Sequence, residues 1–262
     1  MSFTKLVQPN ATVSKHWHWG AAAAWTLTAL LVWAVFRPSI LPGPGAVLSA
    51  FPTLWNRGVF TGDLLHSFTV NLQAILWSTL LSLFFAYTTV MPLMRSPVSA
   101  MTKLRFLGLT GLTLPFTLLF PGGDGLRIAI LTFGMTANFV TSMSDVVANI
   151  PREEFDHARS LGFSDWRSVW EVVILGKADA AFEVLRQNAA IGWMMLTMVE
   201  VIAQSGGGIG LVLYKANRQF DLLPQVFAIL VVILMVGYLQ DLALRWLKRT
   251  VCPYAELKLE RR

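Results

Sequence analysis

Six apolar runs, each near the length of a bilayer-crossing helix, constrain this 262-residue chain more than any other feature. A helix needs about 20 mostly apolar residues to traverse the hydrocarbon core, within a range of roughly 17 to 25. The runs are Trp19–Phe36, Ser67–Met94, Phe106–Gly123, Ile128–Ser144, Gln187–Tyr214 and Leu222–Gln240. Asp124 and Arg127 separate the third from the fourth, while Glu200 and then Gly206-Gly207-Gly208 interrupt the fifth. Backbone in lipid must satisfy its own hydrogen bonds, which selects helices. The predicted fold class is all-α: a polytopic membrane protein with six transmembrane helices.

Composition excludes the main competitors. Hydrophobic residues make up 55% of the chain, charged residues only 14%, and the mean hydropathy is +0.56. Soluble domains carry about 25% charged residues, so this chain lacks the polar surface of a soluble enzyme or a disordered segment. The net charge of +6 could suit nucleic acid or an anionic membrane face. The cations lie dispersed between apolar runs and form no nucleic-acid stripe. A single cysteine, Cys252, excludes an internal disulfide and a Cys-rich metal or iron–sulfur site. His16 and His18 flank Trp17 before the first run and read as interfacial residues. That run follows Lys5 and Lys15 as a secretory signal would, but it is long and Phe36-Arg37-Pro38 is no small-residue cleavage site. It is predicted to be retained.

Orientation follows from the Lys/Arg bias. With a cytoplasmic N-terminus and six crossings, 16 of the 21 cationic residues fall inside. Both termini are then cytoplasmic. The chain divides into an N-terminal segment (1–18), a six-helix transmembrane domain (19–245) containing a long cytoplasmic loop (145–186), and a basic tail (246–262).

Two loops are more than connectors. After Leu41-Pro42-Gly43-Pro44, the Ala46–Trp55 stretch has helical apolar spacing, and Val47, Leu48, Phe51, Leu54 and Trp55 could lie in the outer interface. In the loop from Asp145 to Arg186, Pro151-Arg152-Glu153-Glu154 suits a helix's first turn. Phe155, Ala158 and Leu161 recur on one face, and Gly162 suits a left-handed helix end. Ser164 can cap a second helix with a Trp166, Val169, Trp170, Val173 stripe. This helix–Gly–helix unit could lie on the membrane or dock a partner.

Asp156-His157-Ala158-x-x-x-Gly162, followed by an apolar run ending Val173-Ile174-Leu175-Gly176, resembles the "EAA" loop of ABC-importer permeases. The similarity is greatest to the nitrate/sulfonate/taurine/bicarbonate branch of binding-protein-dependent permeases. Leu41-Pro42-Gly43-Pro44, Ala158–Ser164, Glu200 before Gly208-Ile209-Gly210, and Asp241 carry it along nearly the whole chain, from Trp19 to Thr250. Asp156 and His157 depart from the motif's Glu and Ala, Gly176 stands where Pro is usual, and the second run lacks the glycines common there.

The resemblance implies a type I ABC-importer permease fold in a bacterial cytoplasmic (inner) membrane. It implies that the loop is a coupling helix docking on a separate ATPase subunit. Phe155, Ala158 and Leu161 would bury an apolar face there, with Arg152, Glu153 and Arg159 as rim contacts and Asp156, His157 and Gly162 completing the motif. The implied partners are cytoplasmic ABC ATPase subunits, an extracytoplasmic solute-binding protein and a second permease copy, identical or paralogous. No cofactor is expected in this chain; ATP and Mg would sit on the ATPase. The implied solute is a small anion such as nitrate, bicarbonate or an aliphatic sulfonate, with a vitamin precursor as the alternative.

No catalytic function is predicted for the chain itself. Gly206-Gly207-Gly208-Ile209-Gly210 lacks the Lys-Ser/Thr of a P-loop and reads as a flexible turn, with an outer gate (Gly206, Gly207, Gly208) or a re-entrant segment as the sharper alternative. No Ser/His/Asp or paired-carboxylate constellation stands out. Glu200 lies inside an apolar run, where a charge costs about 2.5–3.5 kcal/mol on insertion scales. It could line the pathway, make a helix–helix contact or sit at the outer interface. Asn138, Thr141, Ser142 and Thr197 are pathway candidates or packing contacts. An ion-coupled secondary transporter is the rival class; it would show inverted repeats and more midplane charges.

Overall fold

Small residues recur on the second apolar run at helical spacing, and they organise the bundle. Ser67, Asn71, Ala74, Ser78, Ser82 and Ala86 are all buried, three or four residues apart along one face of a single helix. Where lipid competes equally for apolar side chains, helices associate by close backbone approach between such residues.

A computed structural model of the chain describes residues 15–35, 41–204 and 206–254. In order, the helices are α1 (Lys15–Val35), α2 (Pro44–Asn56), α3 (Leu65–Thr88), α4 (Pro92–Lys103) and α5 (Leu109–Leu119). They continue with α6 (Gly123–Ala148), α7 (Arg152–Ser160), α8 (Asp165–Ser168), α9 (Ala178–Ala203), α10 (Ile209–Asn217) and α11 (Leu223–Val251). A π-helical segment leads into α3 (Val59–Leu64) and another follows α8 (Val169–Leu175). The described residues contain no strand. Most of the expected N-terminal segment, the Phe36-Arg37-Pro38 stretch and residues 255–262 of the expected tail lie outside the described residues.

Three stretches among the described residues are long and apolar enough to cross a membrane: Val59–Thr88, Gly123–Ala148 and Phe220–Val251. The expected count of six is not reached on that criterion. The third expected run, Phe106–Gly123, is not one helix. Leu107 and Gly108 are extended, and only the 11 residues of α5 are helical. At 1.5 Å per residue α5 spans about 16 Å, half a hydrocarbon core. The chain then turns through Gly122 and Gly123, both at positive φ. The fifth expected run is also divided, since α9 starts at Ala178, ends at Ala203 and is followed by the separate α10. The loop expected from Asp145 to Arg186 shortens to Asn149–Lys177, because α6 and α9 extend into it.

The core lies between α3, α6 and α9, with Val70 and Ala74 against Leu131, Met135, Trp193 and Leu196. Gly192 is needed for this approach. A Cβ there would lie 2.9 Å from Asn71 Oδ1 and 3.0 Å from Met135 Cε. A second cluster joins Ala86, Phe139 and Met143 to Val173 and Val184 at the α7 end of the bundle. The third buries Val47, Ala50 and Leu54 of α2 against Ile209, Ala228 and Ile229. So α2 packs on the bundle through half of its expected interfacial face, leaving Leu48 and Trp55 exposed. Exposed Trp25 and Leu31 on α1, Leu72, Leu76 and Leu80 on α3, and Leu234 and Leu239 on α11 form an outer surface suited to lipid.

Candidate functional site

The α6–α9 connection is built by local chain chemistry. Pro151 is extended ahead of α7, and Glu153 and Glu154 occupy the first turn, where the helix dipole favours anions. Gly162 takes φ +78°. Its N–H donates to the Arg159 carbonyl at 2.9 Å, and the Phe163 N–H donates to the Ala158 carbonyl at 3.2 Å. That is a Schellman-type ending. No atom lies within 4 Å of a Cβ position at Gly162, so its backbone angle alone calls for glycine. Ser164 caps α8, accepting the Arg167 N–H at 3.4 Å. The π-helical segment closes with the Gly176 N–H donating to the Glu171 carbonyl at 2.9 Å. A Cβ at Gly176 would lie 2.5 Å from the Val172 carbonyl oxygen, so the position calls for glycine. Lys177 Nζ reaches both Glu154 oxygens, at 2.9 and 3.0 Å, and ties the start of α9 back to α7.

The expected apolar docking face divides. Ala158 is buried and Phe155 packs half-buried against the second core cluster, whereas Leu161 is 60% exposed. The inner face of α7 therefore serves this chain's own core. Its outer face presents Arg152, Glu153, Asp156, His157 and Arg159, with Arg159 near Asp156 (3.4 Å) and Asp165 (3.7 Å). The Trp166–Val173 stripe divides the same way: Val173 is fully buried, and Trp166 and Trp170 stay exposed.

Glu200 occupies a fully buried cluster where α9 turns into α10. Its Oε1 accepts the Ser67 hydroxyl at 2.5 Å and its Oε2 accepts the Gly210 N–H at 2.6 Å. Ser67 Oγ in turn accepts the Ile209 N–H at 2.8 Å, and Asp63 Oδ1 accepts the Gly208 N–H at 3.0 Å. The carboxylates and hydroxyl thus cap the α10 N-terminus, whose first amides have no helical partner. Gly206, Gly207 and Gly208 take φ of +79°, +81° and +109°. A Cβ at Gly208 would meet Glu200 Oε1 at 2.5 Å. The turn is thereby locked onto Glu200. Beside it, buried Arg127 places Nη1 3.2 Å from His66 Nε2 and 3.6 Å from Asp124 Oδ1, and His66 Nε2 lies 3.0 Å from that same oxygen.

The other pathway candidates spend their polar groups on their own helices. Asn138 donates to the Gly134 carbonyl at 3.0 Å, Thr141 to Ala137 at 2.8 Å and Thr197 to Met194 at 2.9 Å; Ser142 is exposed. Thr197 lines an open cavity of about 320 Å³ with Thr110, Met198, Tyr214 and Asn217, and no charged residue is among its walls. Asn138, Thr141, Ser142 and Glu200 do not line it. Sequence reasoning missed Asp63, Ser67, His66 and Arg127 as partners of the Glu200 turn. Only Ser67 left a trace, as the first member of the α3 small-residue face. It also missed Gln240, whose Oε1 accepts the Trp193 Nε1–H at 2.9 Å.

The chain as a whole, and its bundle of helices, are similar to known proteins. No family model matches the chain. The taurine transport system permease protein TauC of Escherichia coli (strain K12) is 24% identical over 237 residues, covering 88% of this chain and 84% of the relative. A putative ABC transporter permease protein of Methanocaldococcus jannaschii is 23% identical over 237 residues, 87% of this chain and 86% of that protein. The methionine ABC transporter MetNI, in inward-facing conformations, aligns with a TM-score of 0.58 at 16% identity, over 76% of this chain and 98% of that one. An amino acid ABC transporter solved with histidines gives 0.57 at 14% identity, over 77% and 96%. This is the fold of an ABC-importer permease.

The bundle, α7 and the glycine turn are each held by contacts internal to this chain.

Proposed function

We propose that this chain is the membrane-spanning subunit of an ATP-driven importer, forming half or more of a solute pathway and coupling to a separate ABC ATPase. The observation that carries it is the α7–Gly162–α8 unit: a short rigid helix, held from within by Ala158 and Lys177, with a charged outer face left for a partner. The partners of this reading are cytoplasmic ATPase subunits that hold ATP and Mg, a solute-binding protein and a second permease copy. The site is a bacterial cytoplasmic membrane with both termini inside, and hydrolysis belongs to the ATPase. Arg152, Glu153, Asp156, His157, Arg159 and exposed Leu161 form the docking face.

Similarity to a taurine permease protein supports an aliphatic sulfonate among the small anions. The uncharged lining beside Thr197 suits passage without tight holding, and it keeps a vitamin precursor as a second reading. Both Glu200 oxygens are engaged at the α10 cap, which favours ATP drive over ion coupling through that carboxylate.

The test is purification of the tagged chain from native membranes, followed by reconstitution with what co-purifies. An ABC ATPase subunit should accompany it, and hydrolysis should rise with loaded binding protein. A chain that purifies without an ATPase and transports solute on an ion gradient would overturn the assignment.

A further inference from the structure

A cavity of about 580 Å³ lies at the α7 end of the bundle, between the ends of α3 and α6, the length of α4, and α7. It is separate from the Thr197 cavity and from the Glu200 turn, and its size is within the range of small-molecule sites. Its walls carry one cation and one anion, Arg95 from α4 and Asp145 from α6. These two do not neutralise each other, and among the described residues no ion pair within 4.0 Å involves either. Arg95 is oriented by its Nε–H, which donates to the Thr89 carbonyl at 3.2 Å and leaves the terminal guanidinium nitrogens for another acceptor. Hydroxyls of Ser99 and Thr102 flank it on α4. On the α6 side, Ser144 Oγ is buried with no hydrogen-bond partner among the described residues, beside Asp145. The opposite wall is Phe155 of α7.

We infer that this cavity is a binding site for a small zwitterion, with an oxyanion on Arg95 and a primary ammonium on Asp145. An arginine fork suits phosphate, sulfonate or carboxylate, and a carboxylate with an adjacent hydroxyl oxygen suits an ammonium's three donors. A simple anion would leave Asp145 facing it unpaired, and a simple amine would leave Arg95 so. The same chemistry occurs in a free metabolite and in a phosphatidylethanolamine headgroup. An occupant touches Phe155, so it meets the loop proposed above to couple to the ATPase; the site itself does not depend on that reading.

The experiment uses the full chain in detergent, with its co-purifying subunits, and O-phosphoethanolamine as the soluble probe. Ethyl phosphate and ethanolamine serve as single-charge controls. Calorimetric binding of the zwitterion should exceed that of either control by about tenfold or more, the loss expected for one removed charge-assisted contact. Arg95→Gln and Asp145→Asn are both exposed positions, and each should weaken binding by a similar factor. Ser99→Trp should fill the cavity and abolish binding while leaving the melting temperature in place.

If the soluble zwitterion fails to bind but phosphatidylethanolamine, and not phosphatidylglycerol, is retained from mixed nanodiscs in an Arg95- and Asp145-dependent way, the lipid is the occupant and the site stands. Failure of both probes, or equal binding by wild type and the three variants, overturns it. Neither result bears on ATPase co-purification, so the two readings fail separately.

Discussion

Gly208→Ala is the sharpest perturbation of the α9–α10 turn. Gly208 has φ +109° and ψ 155°, a region that only glycine occupies without strain, and forcing alanine into it costs about 1–3 kcal/mol. The added methyl would also stand 2.5 Å from both Glu200 Cδ and Oε1. Glu200 is fully buried, so it must leave the cap and release the Gly210 N–H. A hydrogen bond to a charged group is worth about 1.5–3 kcal/mol. Together the two effects predict a loss of about 2.5–6 kcal/mol. Gly237→Ala in α11 is the matched control, since its Cβ would meet Trp193 Cδ1 at 3.7 Å and Nε1 at 3.9 Å, both ordinary contacts. The assay is reversible unfolding in mixed detergent micelles, followed by tryptophan fluorescence, with solute uptake measured in parallel. A Gly208→Ala protein within about 1 kcal/mol of the Gly237→Ala protein would refute the view that Glu200 locks this turn.

Three further outcomes follow from the α7 end of the bundle. Gly162→Val, strained by about 1–3 kcal/mol at φ +78° with open space around its Cβ, should leave the chain folded but remove stimulation of ATP hydrolysis by loaded binding protein; Gly162→Asn, which tolerates that conformation, should retain it. Lys177→Met should cost about 1 kcal/mol or less in global unfolding yet speed proteolysis within Asn149–Lys177, because it frees α7 from α9. Glu183, outside the apolar part of α9, has its carboxyl held below the usual carboxylate range by the hydrogen bond from Arg186. Its contribution to stability is therefore complete above the unfolded value near 4.3 and is lost as pH falls through the lowered folded value; Glu183→Gln should flatten the acid limb of a melting-temperature profile.

Apolar runs revealed the helical membrane class directly, because a lipid-exposed backbone admits few alternatives. Helix ends were less legible. Periodicity could not show that Gly108 and Gly122 would isolate α5, or that α9 would begin at Ala178 despite Asp179, Glu183 and Arg186 in its early turns. Two of those charges meet partners remote in sequence on α11: Arg186 reaches Asp241 at 2.7 Å and Glu183 reaches Lys248 at 3.3 Å. The Pro151, Gly162 and Ser164 signals were readable because each acts within a few residues of itself. The facing of Phe155 and Ala158 was not, since spacing identifies an apolar face without identifying what covers it. Glu200 was conspicuous as a lone carboxylate, but its role depends on Ser67, which lies 133 residues away.

Helix α9 is pinned at both ends, by Lys177 to Glu154 and by Glu200 to Gly210. Its 26 residues form an uninterrupted shaft of about 39 Å. A rocking of about 3° at the α7 end moves the far end by about 2 Å, the scale of helix shifts in switching proteins. The glycine turn rides on that far end and is clamped to it by a carboxylate rather than by a compliant apolar contact. Motion imposed on α7 thus arrives at α10 as displacement, with little slack to absorb it on the way.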